Sequence, residues 1–312
     1  MFELSNSNLK INHLRLISAI SEFGRITTAA DTMLITQPAA SRLLAEMERI
    51  LGAKLCERHA KGMELTLYGR SFARRARNIL IQMHDIPRDI EELKSGKGGT
   101  ARVGAVTGAA VGYVVPAVQQ LKASSPGTEI DVSVAASNDL VRGLLAGNFD
   151  FVLGRVPTNM SPHQFDIFRA RTEKIDLIVR KDHPLSSAKS VSFGDLTHYE
   201  WVMQSRGNPV REVMETKFLD AGFPSPVRVT NTSSLLVMIA ILANSTAISP
   251  IAREVSELLI EDTVAAKLTT LFIDQDIEVE PYNLMTVRGR QLSPTARHLK
   301  ELVLLDLESR EV

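Results

Sequence analysis

The sequence predicts an N-terminal winged helix-turn-helix, mostly α-helical, then a long linker helix, then an α/β domain. Three observations carry this. Residues 9–68 read as short helices with tight connections, closed by a basic, turn-rich hairpin. Residues 69–94 hold an apolar repeat of helical period. Beyond the helix-breaking stretch Ser95-Gly96-Lys97-Gly98-Gly99, apolar runs alternate with helical patterns, the form of an open sheet with crossover helices.

The first helix is expected over about Asn12–Glu22, with Leu14, Leu16, Ile17, Ile20 and Phe23 as its stripe and Gly24 as its stop. Thr27 or Thr28 can cap the second helix, and Ala29 and Ala30 permit close packing. The third helix starts at Thr36 or Gln37, with Pro38 in its first turn. Ala40, Leu43, Leu44, Met47 and Leu51 form its core face. Gln37, Pro38, Ser41 and Arg42 lie on the other side, which is either a solvated face or a DNA reader. Gln suits adenine edges, Arg suits guanine or phosphate, and Ser suits either. The hairpin decides for DNA: Lys54–Arg58 reads as a strand, Glu64–Leu67 as its return, and Gly62 allows a tight tip. Arg58, His59 and Lys61 surround that tip, where a wing meets phosphate, and Thr66 is a further phosphate candidate. Thr27, Thr28 and Thr36 complete the expected DNA-facing set.

Charge agrees. Residues 1–98 carry 15 Lys+Arg against 11 Asp+Glu, a net of +4, and the remainder 21 against 25, a net of −4. The first third is therefore expected to meet an anionic partner. Hydrophobic residues make up 44% and charged ones 23%, ordinary for a soluble globular chain. No apolar run reaches the length of about 18 residues that a membrane span needs. Met1–Leu9 has no signal core, so a cytoplasmic protein is expected. Cys56 is the only cysteine, which excludes an intrachain disulfide and fits a reducing compartment.

In the long helix, Phe72, Ala76, Ile79, Met83, Ile86, Ile90 and Leu93 recur at alternating steps of four and three. That is a coiled-coil seam, so a second copy is expected against it. Pro87 is expected to kink or end the helix.

Ligands of open α/β sheets bind beyond the carboxyl ends of strands. Thr107-Gly108 follows the candidate strand Ala101–Val106, Arg155 follows Phe151–Leu153, and Ser205-Arg206 follows Trp201–Gln204. Thr232 opens the next helical stretch after Val227–Val229. Thr107, Gly108, Arg155, Ser205, Arg206 and Thr232 are the candidate contacts for a small anionic or hydroxylated effector. Further strands are expected at Glu129–Ala135, Lys174–Arg180, Ala247–Ser249 and Leu284–Val287. No enzyme signature accompanies them. A Gly-x-Gly-x-x-Gly turn is missing, which speaks against a Rossmann-type oxidoreductase, and neither a nucleophile elbow nor a histidine pair at metal-ligand spacing is present. No catalytic residue, metal or cofactor is therefore expected.

The runs Ile26-Thr27-Thr28-Ala29-Ala30, Thr36-Gln37-Pro38-Ala39-Ala40-Ser41-Arg42, Leu55-Cys56-Glu57-Arg58 and Leu65-Thr66-Leu67-Tyr68-Gly69 closely resemble the LysR-type transcriptional regulators. The family usually has Phe at the place of Cys56, whose expected role is packing. The resemblance implies an effector domain like the periplasmic binding proteins, with two α/β subdomains, 100–172 plus 276–312 and 173–275, and an effector cleft between them. It implies a homodimer or tetramer on double-stranded operator DNA that contacts RNA polymerase. Activation is the commoner outcome and repression the alternative. A carbon-source metabolite, a sugar or organic acid, is the expected effector. The family's glycine-rich turn before a late strand is replaced here by Leu242–Pro250, where Asn244 is expected to supply the left-handed residue.

Overall fold

The computed structural model describes residues 8–59, 62–95, 99–158, 160–260 and 267–309. Lys61 and the side chain of Leu93 lie outside the described residues. The N-terminal unit comprises α1 (Ile11–Phe23), α2 (Ile26–Thr32), α3 (Gln37–Leu51), β1 (Cys56–His59) and β2 (Gly62–Leu65). Leu16, Ile17, Ile20, Ala29, Ala30 and Met47 fill its core. Gly24, at a φ of 63°, ends α1 and returns its N–H to the Ile20 carbonyl. The turn is so short that α2 begins at Ile26 behind an extended Arg25, so neither Thr27 nor Thr28 is the cap. The Thr36 hydroxyl accepts the Ala39 N–H and caps α3.

Between α2 and α3 the backbone of Leu34 is left-handed, with φ at 55°, while its side chain is 94% exposed. A side chain there costs about 1–2 kcal/mol and gains no burial. Leu34→Asn is expected to raise stability by about 0.5–1 kcal/mol, because asparagine tolerates this region. Chemical denaturation checks this, and an unchanged or lower midpoint would contradict it.

Helix α4 (Leu67–Ser95) runs through Pro87 without ending. Proline removes the one hydrogen bond to the Met83 carbonyl, and the docked flank of the helix carries it past the gap. The N-terminal part of α4 packs on α1. Ala76 is wholly buried there and Phe72 half-buried, so these two belong to their own chain's core rather than to a seam. Ile79, Met83, Ile86 and Ile90 keep the four-three-four spacing and are between 40% and 51% exposed. The unpartnered stripe therefore starts about two turns later, at Ile79 rather than Phe72.

After the linker come β3 (Thr100–Ala105), α5 (Thr107–Ala109), a π-helical turn Ala110–Val114, α6 (Val115–Ser124), β4 (Glu129–Val134), α7 (Ser137–Ala146), β5 (Phe151–Gly154) and β6 (Phe165–Arg169). The chain then enters a second unit: β7 (Glu173–Arg180), α8 (Phe193–Leu196), β8 (Trp201–Met203), α9 (Pro209–Asp220), β9 (Val229–Asn231), α10 (Leu235–Ala243), β10 (Ser249–Ala252), α11 (Arg253–Ile260), β11 (Leu268–Leu271) and β12 (Ile277–Val279). It returns as β13 (Asn283–Val287) and α12 (Pro294–Ser309). The first sheet has the order β4-β3-β5-β13-β6. Its β3 is parallel to β4 and β5, and β13 is antiparallel to β5 and β6. In the second unit β7 pairs antiparallel with β10, β11 and β12, and β8 and β9 form a parallel pair. Because β12 still pairs with β7, the return crossing lies between Val279 and Asn283, a few residues beyond the expected 276. Asn244 has a φ of −114°, so it is not the left-handed residue expected.

The linker helix docks on the first sheet. Ile81 is buried among Leu140, Val141, Leu144 and Met285. One turn on, the Asp85 carboxylate takes Arg102 Nη2 at 3.0 Å and Arg290 Nη2 at 3.0 Å. Arg290 also meets Asp150 at 2.9 Å, and Asp150 accepts the Arg102 N–H at 2.8 Å. Two buried acids thus balance two arginines.

Candidate DNA interface and effector cleft

The candidate reading head is the first turn and a half of α3. Thr36, Gln37, Pro38 and Arg42 are exposed and Ser41 half-exposed, while Ala40, Leu44 and Met47 face the core. Gln37 Nε2 donates to Ser41 Oγ at 3.2 Å and Arg42 Nε to the Pro38 carbonyl at 3.4 Å. These exposed contacts order the polar tips without locking them.

The wing lies beside it. Met63 donates its N–H to the Gly24 carbonyl at 2.8 Å. Gly62 is required at that join, because a Cβ would stand 2.6 Å from the Gly24 oxygen. Arg25, Thr27, Arg58 and His59 surround a shallow hollow of about 390 Å³ between the wing and the start of α2. Its cations suit a backbone phosphate. Arg25 escaped the sequence reading; the signal was a cation directly after a helix-ending glycine. Thr66 does not serve as expected. Its hydroxyl donates to the Lys54 carbonyl at 2.7 Å and accepts the Gly69 N–H at 3.0 Å, which leaves no proton for a phosphate. It fixes the wing to α4 instead. The wing also carries acids: Glu57 and Glu64 face each other across the hairpin, each 3.9 Å from His59 Nε2.

In the α/β region the strand ends assemble as two sets, one on each unit. Val106 donates its N–H to the Leu153 carbonyl at 3.0 Å, which sets the start of α5 beside the end of β5. The Arg155 N–H bonds Ser137 Oγ at 3.0 Å, so Thr107, Ser137 and Arg155 share one edge. On the other unit Met203 pairs with Asn231, and the Thr232 N–H reaches the Met203 carbonyl at 2.9 Å. Arg211 braces this edge through the Gln204 carbonyl at 3.1 Å, the Asn231 side chain and Glu215 at 2.8 Å. Ser205 and Arg206 are exposed there and Thr232 is half-buried.

The two units meet around Gly108. A Cβ on it would lie 2.7 Å from the Ala252 Cβ and 3.0 Å from Glu173 Oε1. Gly112 is pressed against Glu254 in the same way, at 2.8 Å. The Arg155 guanidinium holds Glu173 at 2.7 Å and the Glu280 carbonyl at 2.8 Å, so it ties the two crossing segments together. Behind it Tyr113 and Tyr282 pack edge to face, 6.2 Å between ring centroids. Burial pushes the Tyr282 hydroxyl well above the ordinary phenol range, so it stays protonated.

A winged helix-turn-helix, a linker helix and two α/β units stand in one chain, and known families match both ends. Residues 11–70 match the bacterial regulatory helix-turn-helix proteins of the lysR family, and residues 94–307 match the LysR substrate binding domain. The chain belongs to the LysR family of transcriptional regulators. It is a DNA-binding regulator with a substrate-binding domain. It is 42% identical to the HTH-type transcriptional regulator GbpR of Rhizobium radiobacter, over 79% of this chain and 82% of that one. It is 31% identical to a GbpR of Azospirillum brasilense, over 93% and 84%. In fold it is similar to full-length CbnR, a LysR family regulator solved with its target DNA. That likeness has a TM-score of 0.53 at 22% identity and covers 96% of this chain and 100% of CbnR.

Within this LysR-family frame, Cys56 packs half-buried at the base of the wing. Burial, with the Glu48 carboxylate nearby, pushes its thiol up to about 12. Such a thiol stays protonated and unreactive at neutral pH, in keeping with packing as its role. Among the described residues no helix is long and apolar enough to cross a membrane.

Proposed function

We propose that this LysR-family regulator activates transcription by setting two copies of Gln37–Arg42 on a two-fold-related operator, under control of a small hydroxylated effector in the cleft. The exposed polar turn of α3 beside the basic hollow supports the DNA half. Thr27, Thr28 and Arg58 flank it, and Arg25 adds a phosphate contact. The unpartnered stripe Ile79, Met83, Ile86 and Ile90 supports pairing through α4, and a dimer of dimers follows the family pattern. Hydroxyls dominate the effector half: Thr107, Ser137, Ser205 and Thr232 stand at strand ends, with Arg206 at the rim. The Glu173 and Glu254 carboxylates near Gly108 favour a sugar-like molecule over a bare anion. Arg155 serves closure by spanning both crossings. Effector binding shifts the population toward the closed cleft and so changes contacts to DNA and RNA polymerase.

Arg42→Ala is expected to weaken binding to an operator selected from randomised duplexes by about 1–3 kcal/mol. An unchanged mobility-shift titration would remove Arg42 from the reading head. For the sensor, a thermal-shift screen of sugars and organic acids on the full chain is expected to yield a hit that Thr107→Val and Ser205→Ala both abolish. A hit indifferent to both substitutions would place the effector elsewhere.

A further inference from the structure

We infer that this chain has a second small-molecule site, separate from the cleft, at the junction of the helix-turn-helix, the linker helix and the first α/β unit, and that it takes a carboxylate with an apolar body. A cavity of about 540 Å³ lies there, open on one side and walled by α1, the α2–α3 turn, α4 and α7. That volume is within the range of about 300–1,000 Å³ typical of small-molecule sites. Leu34, Leu43, Leu80 and Leu145 give the cavity an apolar wall. Its charged groups are Arg15, Arg77 and Arg142 against the single carboxylate of Glu22. Arg142 also lies 3.7 Å from Asp139, in an exposed pair. The Arg77 side chain is buried, its contact to Gln164 Oε1 is with a neutral group, and burial pulls its guanidinium below the ordinary range. Ser18 Oγ, in the same wall, is buried without a hydrogen-bond partner among the described residues.

An excess of positive charge beside apolar surface selects an amphipathic anion. The carboxylate sits toward the arginines and the chain or ring covers Leu34, the strained and exposed residue of the turn. Leu34 is two residues before the α3 cap, so occupancy of this cavity acts on the reading head directly.

Decanoate is the probe, with 1-decanol as its uncharged counterpart, titrated calorimetrically below micelle-forming concentrations into the full chain. One saturable decanoate site per chain is expected, with decanol at least tenfold weaker. The surface pair Arg15→Gln/Arg142→Gln is expected to weaken decanoate at least fivefold while leaving the melting curve unchanged. Cleft substitution Thr107→Val is expected to leave decanoate binding intact. Several results would overturn the inference: no saturable binding, equal binding of both probes, or binding indifferent to the arginine pair. Loss of decanoate binding in Thr107→Val would place the ligand in the cleft, ending this inference while sparing the cleft reading. If a second copy covers the cavity instead, neither probe binds and the arginine pair shifts dimerisation, which also overturns it.

Discussion

Replacing Asp85 with alanine is expected to destabilise the chain by about 3–5 kcal/mol. Asp85 carries the linker helix into a buried charge cluster with Arg102, Asp150 and Arg290, and it accepts from both Arg102 and Arg290 at 3.0 Å. Its removal leaves Arg290, whose side chain is 1% exposed, with Asp150 as its remaining carboxylate in that set. Desolvation of a guanidinium left with only one of these two carboxylates then outweighs everything the alanine gains. Asp85→Asn is expected to fall between, because it keeps one acceptor and turns an N–H toward an arginine. Urea denaturation of the three proteins reads the difference. A loss below about 1 kcal/mol, the range of surface pairs, would mean that the cluster is solvated and does not clamp the helix. The same variants should loosen α4 from the first sheet, visible as faster amide exchange around Ile81.

Gly69→Ala is the second large effect. The new Cβ would lie 2.0 Å from the carbonyl oxygen of Leu55 and 2.9 Å from its carbon. Backbone, not a flexible side-chain tip, stands in the way, and that backbone is held by the Thr66 N–H on the Leu55 carbonyl at 2.9 Å. Relief requires the wing to part from the start of α4. The expected cost is about 3 kcal/mol, the upper end of ordinary overpacking. Operator affinity should fall with it, since Arg58 rides on the wing. Stability within about 0.5 kcal/mol of the parent would show that the join yields easily.

Legibility differed by region. Helix α3 and its buried face were readable residue by residue, because a two-sided pattern over Gln37–Leu51 is a local property of a 3.6-residue period. The α4 stripe was readable in period but not in extent: Phe72 and Ala76 match the heptad as well as Ile79 does. What separates them is that α1 covers the first turns of the helix and leaves the later ones bare. Strands β6, β11 and β12 escaped because they are short or half-exposed, and their pairing partners lie far off in the sequence. The strand ends that carry Thr107, Ser205 and Thr232 were legible from the alternation of apolar runs and turns. Arg155 was singled out for a ligand, although its partners Glu173 and Glu280 are 18 and 125 residues away. Thr66 reads as a phosphate contact because nothing local reveals that its hydroxyl donates to the Lys54 carbonyl.

The sequence by itself determined the winged helix-turn-helix, the linker helix and the alternating α/β remainder, since each rests on periodicity, turn chemistry and capping within a few residues. Tertiary structure alone decided which face of α4 is left for a partner, how Asp85 locks that helix to the first sheet, and where Gly108 and Arg155 bring the two units together. Those outcomes depend on charges and backbone atoms that meet across tens to hundreds of residues, and no local pattern encodes which distant group fills a given side chain's hydrogen bonds.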